Sequence, residues 1–100
     1  LTDVVRVTLR LRAALRLTKP SPNPVRQQAT LRFGAKDAAS ATVAVYDALG
    51  RRIRTLWEGP LSRGQMRAVR LDASRLPSGV YFVRARAEDQ TKTRKLTVVK

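Results

Sequence analysis

Apolar and polar residues alternate with a period of two through most of this chain, and that period restricts what the chain can fold into. In one run Tyr81 and Val83 alternate with Phe82 and Arg84. Side chains of a β-strand point alternately to its two faces, so this pattern predicts strands with one buried face. Runs of helical periodicity are absent from the sequence. The pattern therefore predicts an all-β fold.

The strand-like runs recur at short, regular intervals, with turn residues between them. Leu15 and Leu17 mark the first run, and six more follow at residues 29–33, 41–47, 52–58, 65–72, 80–88 and 91–100. Such spacing predicts an Ig-like antiparallel β-sandwich of about seven strands. We expect residues 13–100 to form this domain. Residues 1–12 are then a linker, or a first strand continuing from an upstream domain.

The alternation also predicts which side chains form the core. In residues 52–58 the spacing of Ile53, Leu56 and Trp57 breaks the period, which predicts a β-bulge or an early strand end. The expected core comprises Leu15, Leu17, Leu31, Phe33, Val43, Val45, Ile53, Leu56, Val69, Leu71, Tyr81, Val83, Leu96 and Val98.

Composition excludes many functions. The chain has no cysteine and no histidine, which removes disulfides, thiolate nucleophiles and histidine-based acid–base or metal chemistry. It has only seven acidic residues and no evident catalytic carboxylate pair, so we expect a domain that is not an enzyme and holds no cofactor or metal. No apolar run is long enough to span a membrane, and no signal peptide is visible.

The net charge of +14 bears on possible partners. Twenty-one Lys and Arg residues oppose seven acids. Two interpretations stay open: the domain attracts polyanions, or its arginines coat solvated strand faces. We do not expect nucleic acid as a partner, because only five aromatic residues are present and no recognition helix or nucleic-acid-binding motif is recognisable.

Four short motifs stand in order along the chain. They are Pro22-Asn23-Pro24, then residues 45–51 with Tyr46, Asp47, Gly50 and Arg51, then residues 76–82 with Gly79 and Tyr81, and a basic tail with Lys95 and Lys100. Together they resemble the C-terminal sorting domain of the type IX secretion system, in its Ig-like type-A form. They are also similar to the Ig-like domain of flagellar hook-capping proteins, although the basic tail favours the sorting domain.

The resemblance implies a role in export. Such domains are fused to a larger secreted protein, pass from the periplasm through an outer-membrane translocon, and are removed by a sortase-type peptidase. The cargo then stays at the cell surface or is secreted, often coupled to anionic lipopolysaccharide. The family pattern places an aromatic residue before Pro22, where this chain has Ser21.

The motif residues can be interpreted in two ways, as structural residues or as residues that a partner recognises. Residues 22–24 predict a rigid corner in which Asn23 caps a backbone group, or a contact for the translocon. Asp47 predicts an Asx turn, and Arg51 pairs with Asp47 or with an external anion. Gly79 admits a tight strand entry, so that Tyr81 can enter the core with its hydroxyl at the rim.

The tail and the aromatic residues leave further alternatives open. Lys95 and Lys100 should be exposed on a terminal edge strand, which either receives a receptor strand or is protected from aggregation by its lysines. Tyr46 and Trp57 could form a carbohydrate-stacking platform, although packing is the more ordinary role of Trp57. A binding module for carbohydrate or an anionic polymer is therefore the alternative to the sorting signal.

Overall fold

A computed structural model describes residues 15–36, 40–62 and 64–100, and the all-β prediction is confirmed. The expectation for residues 1–12 falls outside this range. None of the described residues form a helix long and apolar enough to cross a membrane. Seven strands are present: β1 (Leu15–Leu17), β2 (Gln28–Ala35), β3 (Ser40–Asp47), β4 (Arg52–Pro60), β5 (Arg67–Asp72), β6 (Gly79–Ala87) and β7 (Gln90–Val98).

The strands form two antiparallel sheets. One is three-stranded, in the order β1-β2-β5, and the other is four-stranded, in the order β4-β3-β6-β7. This arrangement is the predicted Ig-like sandwich. Because β6 pairs with both β3 and β7, the registers bring Asp47 opposite Tyr81 and Tyr81 opposite Leu96. The end of β3, the beginning of β6 and the end of β7 therefore lie at the same end of the sandwich.

The core lies between the inner faces of the two sheets, as the alternation predicts. In β6 the residues at positions 81, 83, 85 and 87 are buried, and the residues between them are exposed or half-buried. Twelve of the fourteen expected core residues are buried. The larger fully buried side chains are Phe33, Leu31, Leu71, Leu96, Val25, Val43, Val45, Val83 and Val98.

Strand β4 is where the core prediction is wrong. Its pairing with β3 shifts register between Val43 and Ala44 and again between Val45 and Tyr46, which is the predicted irregularity. The shifts move Ile53 out of the core, and it is 40% exposed. Leu56 is only half-buried and packs against the edge of the core.

Arginines bridge the two sheets at their two edges. On one side the Arg94 Nε donates to the Leu17 carbonyl at 2.8 Å, joining β7 to β1. On the other side the Arg54 Nη1 donates to the Asp72 carbonyl at 2.6 Å, joining β4 to the end of β5. Carbonyls at strand edges have no partner within their own sheet, so these contacts satisfy them and fasten the sheets together.

Candidate functional site

All four motifs meet at one end of the sandwich. We call this region the end surface and define it as residues 22–25, 47–51, 77–81 and 95–100. The strand registers place the last three segments side by side, and Val25 forms a parallel bridge with Val98. Residues separated by more than seventy positions in the chain are thus brought into one surface.

Asn23 joins the corner to the last strand through both ends of its amide. Its Nδ2 donates to the Lys95 carbonyl at 3.2 Å, and its Oδ1 accepts a hydrogen bond from the Thr97 amide at 3.0 Å. The amide side chain therefore imitates the backbone of a neighbouring strand. The predicted cap is present, on a strand 72 to 74 residues away. Pro22 and Pro24 are exposed on either side of it.

Val25 continues this pairing along β7. The Val25 amide donates to the Thr97 carbonyl at 2.8 Å, and the Val99 amide donates to the Val25 carbonyl at 2.9 Å. Val25 itself is fully buried. The C-terminal half of the β7 edge is therefore occupied by the chain's own corner, which the period of the sequence did not predict.

Ser21 holds the start of the corner without an aromatic side chain. Its amide donates to the Thr30 carbonyl at 3.0 Å, and its carbonyl accepts from the Thr30 amide at 2.9 Å. This backbone bridge ties the corner to β2. The corner is thus fixed by main-chain hydrogen bonds where the family pattern has an aromatic residue.

Lys100 is exposed, as expected, but it makes contacts that were not predicted. Its Nζ donates to the Ala73 and Ser74 carbonyls at 2.6 and 2.7 Å and lies 3.4 Å from the Arg26 carbonyl. Its amide donates to the Ser78 Oγ at 3.0 Å. The ammonium group therefore ties the tail to the connection between β5 and β6. Sequence reasoning missed this role, because a lysine in a basic tail carries no sign of which carbonyls it will meet.

The turn between β3 and β4 is built around Asp47. Its Oδ1 accepts from the Leu49 and Arg51 amides at 2.9 Å each, and its Oδ2 accepts from the Arg51 Nε at 2.8 Å. These interactions, the Arg51 amide foremost, lower the pKa of Asp47. Gly50 has a φ of 85°, which favours glycine. The predicted Asx turn is present, and Arg51 pairs with Asp47.

Tyr81 fastens the entry to β6. The ring is buried, and the hydroxyl donates to the Pro77 carbonyl at 2.7 Å. A tyrosine at this position that bonds back to the preceding backbone is the tyrosine corner of Ig-like sandwiches. Gly79 opens the strand with a φ of 157°, a conformation that side chains disfavour.

Tyr46 and Lys95 lie on the solvent-facing side of the four-stranded sheet, which we call the outer face. The register places Tyr46 beside Phe82, and Phe82 beside Lys95. Trp57 instead packs against Phe33, with ring centroids 6.0 Å apart, and joins the edge of the core. Tyr46 and Trp57 therefore form no shared stacking platform.

The described residues offer no cluster of three or more His, Cys, Asp or Glu side chains that could hold a metal ion. The end surface is composed of hydrogen-bonded turns, exposed prolines and basic side chains. Such an arrangement can present a fixed shape to a protein partner.

Comparison with known proteins identifies a family. The sequence model described as "Secretion system C-terminal sorting domain" matches residues 21–99. That segment begins at the corner and includes all of the end surface except Lys100. A search of curated proteins finds no significant match.

Two solved structures share the fold. Dimeric latent PorU from Porphyromonas gingivalis is similar with a TM-score of 0.67 and 23% identity, over 85% of this chain and 9% of the PorU chain. The CARDB domain of a Pyrococcus furiosus protein, solved with di-metal ions, is similar with a TM-score of 0.55 and 16% identity, over 85% of each chain. At these identities the likeness concerns the fold alone.

Proposed function

The chain belongs to the secretion system C-terminal sorting domain family, and we propose that the type IX machinery recognises it through the end surface. The domain acts as a secretion sorting signal, and its destination is the cell surface or the extracellular space. The family is generally non-catalytic, and we propose that this member also works by recognition without chemistry.

The observation that supports this proposal is the meeting of all four motifs at one end of the fold. Asn23, Val25 and Lys100 hold the tail against the body of the domain through hydrogen bonds to several segments. A receptor would therefore meet the tail as part of a folded surface. An extended peptide would not present the same groups in the same positions.

The free part of the β7 edge offers a second contact for a receptor. In the β6–β7 ladder the backbone groups of Thr91, Thr93, Lys95 and Thr97 point outward. Among the described residues, the Lys95 carbonyl and both backbone groups of Thr97 have partners in the corner, and those of Thr91 and Thr93 have none. An incoming strand can pair only with unoccupied groups. Any strand addition at this edge is therefore confined to the N-terminal half of β7.

The proposed partners are the outer-membrane translocon and the sortase-type peptidase of the type IX system. In this proposal the domain is fused to a larger secreted protein that crosses the periplasm. Cleavage takes place in the segment before the folded body, and the cargo is attached to the cell surface. Anionic lipopolysaccharide is a further candidate partner, supported by the net charge of +14.

A reporter fused upstream of the whole chain tests the proposal in a host with the type IX system. The intact chain should carry the reporter to the surface, and a chain lacking residues 91–100 should leave it in the periplasm. Lys95→Glu should reduce surface delivery, because it reverses a charge at the end surface. Its matched control is Lys36→Glu. Lys36 is an exposed residue that directly follows β2, and it lies at the opposite end of the sandwich.

Thermal unfolding of each variant separates recognition from folding. We expect Lys95→Glu and Lys36→Glu to unfold at the same temperature as each other, because both lower the net charge by two. If these two variants delivered the reporter to the surface equally well, the proposal that the end surface is recognised would be wrong. Surface delivery of the reporter without residues 91–100 would overturn any role of the tail.

A binding module for carbohydrate or an anionic polymer is not favoured as the main function. The family match covers the sandwich from corner to tail, and the predicted pair of Tyr46 and Trp57 is separated between the outer face and the core.

A further inference from the structure

A small pocket on the outer face gathers three arginines, two of which lie against Tyr46. Its volume is about 160 Å³, and it is lined by Thr42, Ala44, Tyr46, Arg52, Glu58, Arg84 and Arg86. These residues come from β3, β4 and β6, which are neighbours in the four-stranded sheet. The pocket lies beside the end surface and shares only Tyr46 with the sorting motifs. It was not predicted from the sequence, because Arg52 belongs to β4 and the other two arginines belong to β6.

Tyr46 holds two of the guanidinium groups in place. The Arg84 guanidinium carbon lies 4.6 Å from the centroid of the Tyr46 ring, and that of Arg52 lies 5.7 Å from it. Arg52 also donates to the Tyr46 hydroxyl from Nη2 at 3.1 Å and from Nε at 3.4 Å. An arginine carries five N–H donors in a rigid fork, so Arg52 retains donors for a ligand.

The arginines of the pocket are not neutralised by nearby acids. Within the described ranges no carboxylate oxygen lies within 4.0 Å of the guanidinium nitrogens of Arg52, Arg84 or Arg86. This contrasts with Arg51, which is paired with Asp47 at 2.8 Å. Glu58 lines the pocket but stands across Thr42 from Arg86, since Thr42 pairs with both residues in the sheet.

The floor of the pocket is formed by a small side chain, that of Ala44, which is covered by its neighbours. Ala44 is on the outer face, between the inward-facing Val43 and Val45, and yet it is 1% exposed. A short side chain at this point lets the surrounding long side chains arch over the sheet. The result is a recess of about 160 Å³ whose lining includes three guanidinium groups.

From this geometry we propose that the pocket binds a phosphate monoester. Three arginines and one glutamate give the lining a net charge of +2. A phosphate monoester carries a charge of about −1.5 to −2 at pH 7, and its oxygens accept the paired N–H groups of a guanidinium. This inference does not rest on the sorting role, because the pocket can be tested on the purified domain without export.

Titration calorimetry with glucose 6-phosphate tests the proposal on the whole chain at low salt. Arg84→Gln should weaken binding about tenfold, since a hydrogen bond to a charged group contributes roughly 1.4 kcal/mol or more. Arg70→Gln is the matched control, because Arg70 is exposed on β5 of the other sheet and its loss changes the net charge equally. It should leave the affinity unchanged.

Glu58→Gln provides a test with the opposite sign. Removing the single acid of the pocket should tighten binding of glucose 6-phosphate. Glucose itself should not bind. Vesicles of phosphatidylcholine with phosphatidic acid, compared with phosphatidylcholine alone, distinguish a lipid-borne phosphate from a free sugar phosphate. The proposal is supported if either probe binds, with weaker binding in Arg84→Gln, unchanged binding in Arg70→Gln and tighter binding in Glu58→Gln.

Two results would overturn this inference. One is the absence of binding to both phosphate monoester probes at low salt. The other is an equal loss of affinity in Arg84→Gln and Arg70→Gln, which would mean that the overall positive charge attracts the anion. Thermal unfolding of each variant confirms that the comparison is made between folded proteins.

Discussion

Tyr81 illustrates how one side chain can fasten both the core and a loop. Its ring fills part of the space between the sheets, while its hydroxyl reaches the Pro77 carbonyl four residues earlier. That carbonyl precedes β6, so no strand partner satisfies it. The tyrosine thereby fixes the angle at which the chain enters β6, next to the tail that Lys100 holds.

Tyr81→Phe should lower the free energy of unfolding by about 1 kcal/mol, because it removes one hydrogen bond and leaves a partly buried carbonyl without its partner. Urea unfolding followed by circular dichroism measures this change. Tyr46→Phe is the control, since among the described residues its hydroxyl accepts only from the exposed Arg52. It should change stability by less than about 0.5 kcal/mol. Equal effects of the two substitutions would contradict the tyrosine-corner role.

Asp47 and Asp72 make the fold sensitive to acid. The Arg51 amide is the main cause that lowers the pKa of Asp47, and the Ser74 hydroxyl is the main cause that lowers the pKa of Asp72. Both carboxyl groups therefore bind protons less readily in the folded domain than at the ordinary value of 3.8. Their stabilising contribution is present above that value and is lost as the pH falls below it.

The unfolding temperature should accordingly fall as the pH is lowered from about 5 towards 2. In the double variant Asp47→Asn with Asp72→Asn the fall should be shallower, because two of the groups that take up protons on unfolding are gone. Thermal unfolding across this range measures the slope. An identical slope in the double variant would show that these two turns do not contribute.

Among the elements, β4 and β7 are the two whose pairing the alternation of the sequence did not fully predict, for different reasons. Strand β4 shifts register twice against β3, so its apolar residues cannot all face the core. Strand β7 is regular, but its outer edge is divided between a free N-terminal half and a half that pairs with Asn23 and Val25. The sequence predicted the irregularity of β4 from its broken alternation, but not the direction in which Ile53 would point.

The register shift in β4 makes a direct prediction about stability. Leu96→Ala should cost roughly 2–5 kcal/mol, because it opens a cavity in the core between the sheets. Ile53→Ala removes a side chain that is 40% exposed, and it should cost well under half as much. Urea unfolding of both variants checks this order. A larger loss for Ile53→Ala would place Ile53 in the core after all.

At the scale of the whole molecule, charge opposes the compact state. The net charge of +14 on 100 residues produces repulsion, and folding brings these like charges closer together. The only ion pair found within the described ranges joins Asp47 and Arg51. Cohesion comes instead from the core and from arginines and Lys100 that donate to backbone carbonyls. These contacts satisfy carbonyls without using acidic residues, of which the chain has few.

Screening this repulsion should stabilise the domain. Raising sodium chloride from about 50 mM to about 500 mM shortens the Debye length several-fold, and we expect the unfolding temperature to rise. Differential scanning calorimetry measures the rise. An uncharged osmolyte of equal osmolality serves as the control for solvent effects. A fall with salt would mean that attractive charge pairs dominate the stability of the fold.

The sequence by itself determined the fold class, most of the core and the chemistry of the local turns. The alternation that predicts strands is visible within a few residues of each strand. The hydrogen bonds of Asp47 to the Leu49 and Arg51 amides likewise form within one turn. Both features therefore depend only on residues that are close in the sequence. Only the tertiary structure decided where Asn23 and Lys100 find their partners and how Arg52 and Arg84 gather around Tyr46. Those contacts depend on strand order and register, which bring together segments that carry no mutual signal along the chain.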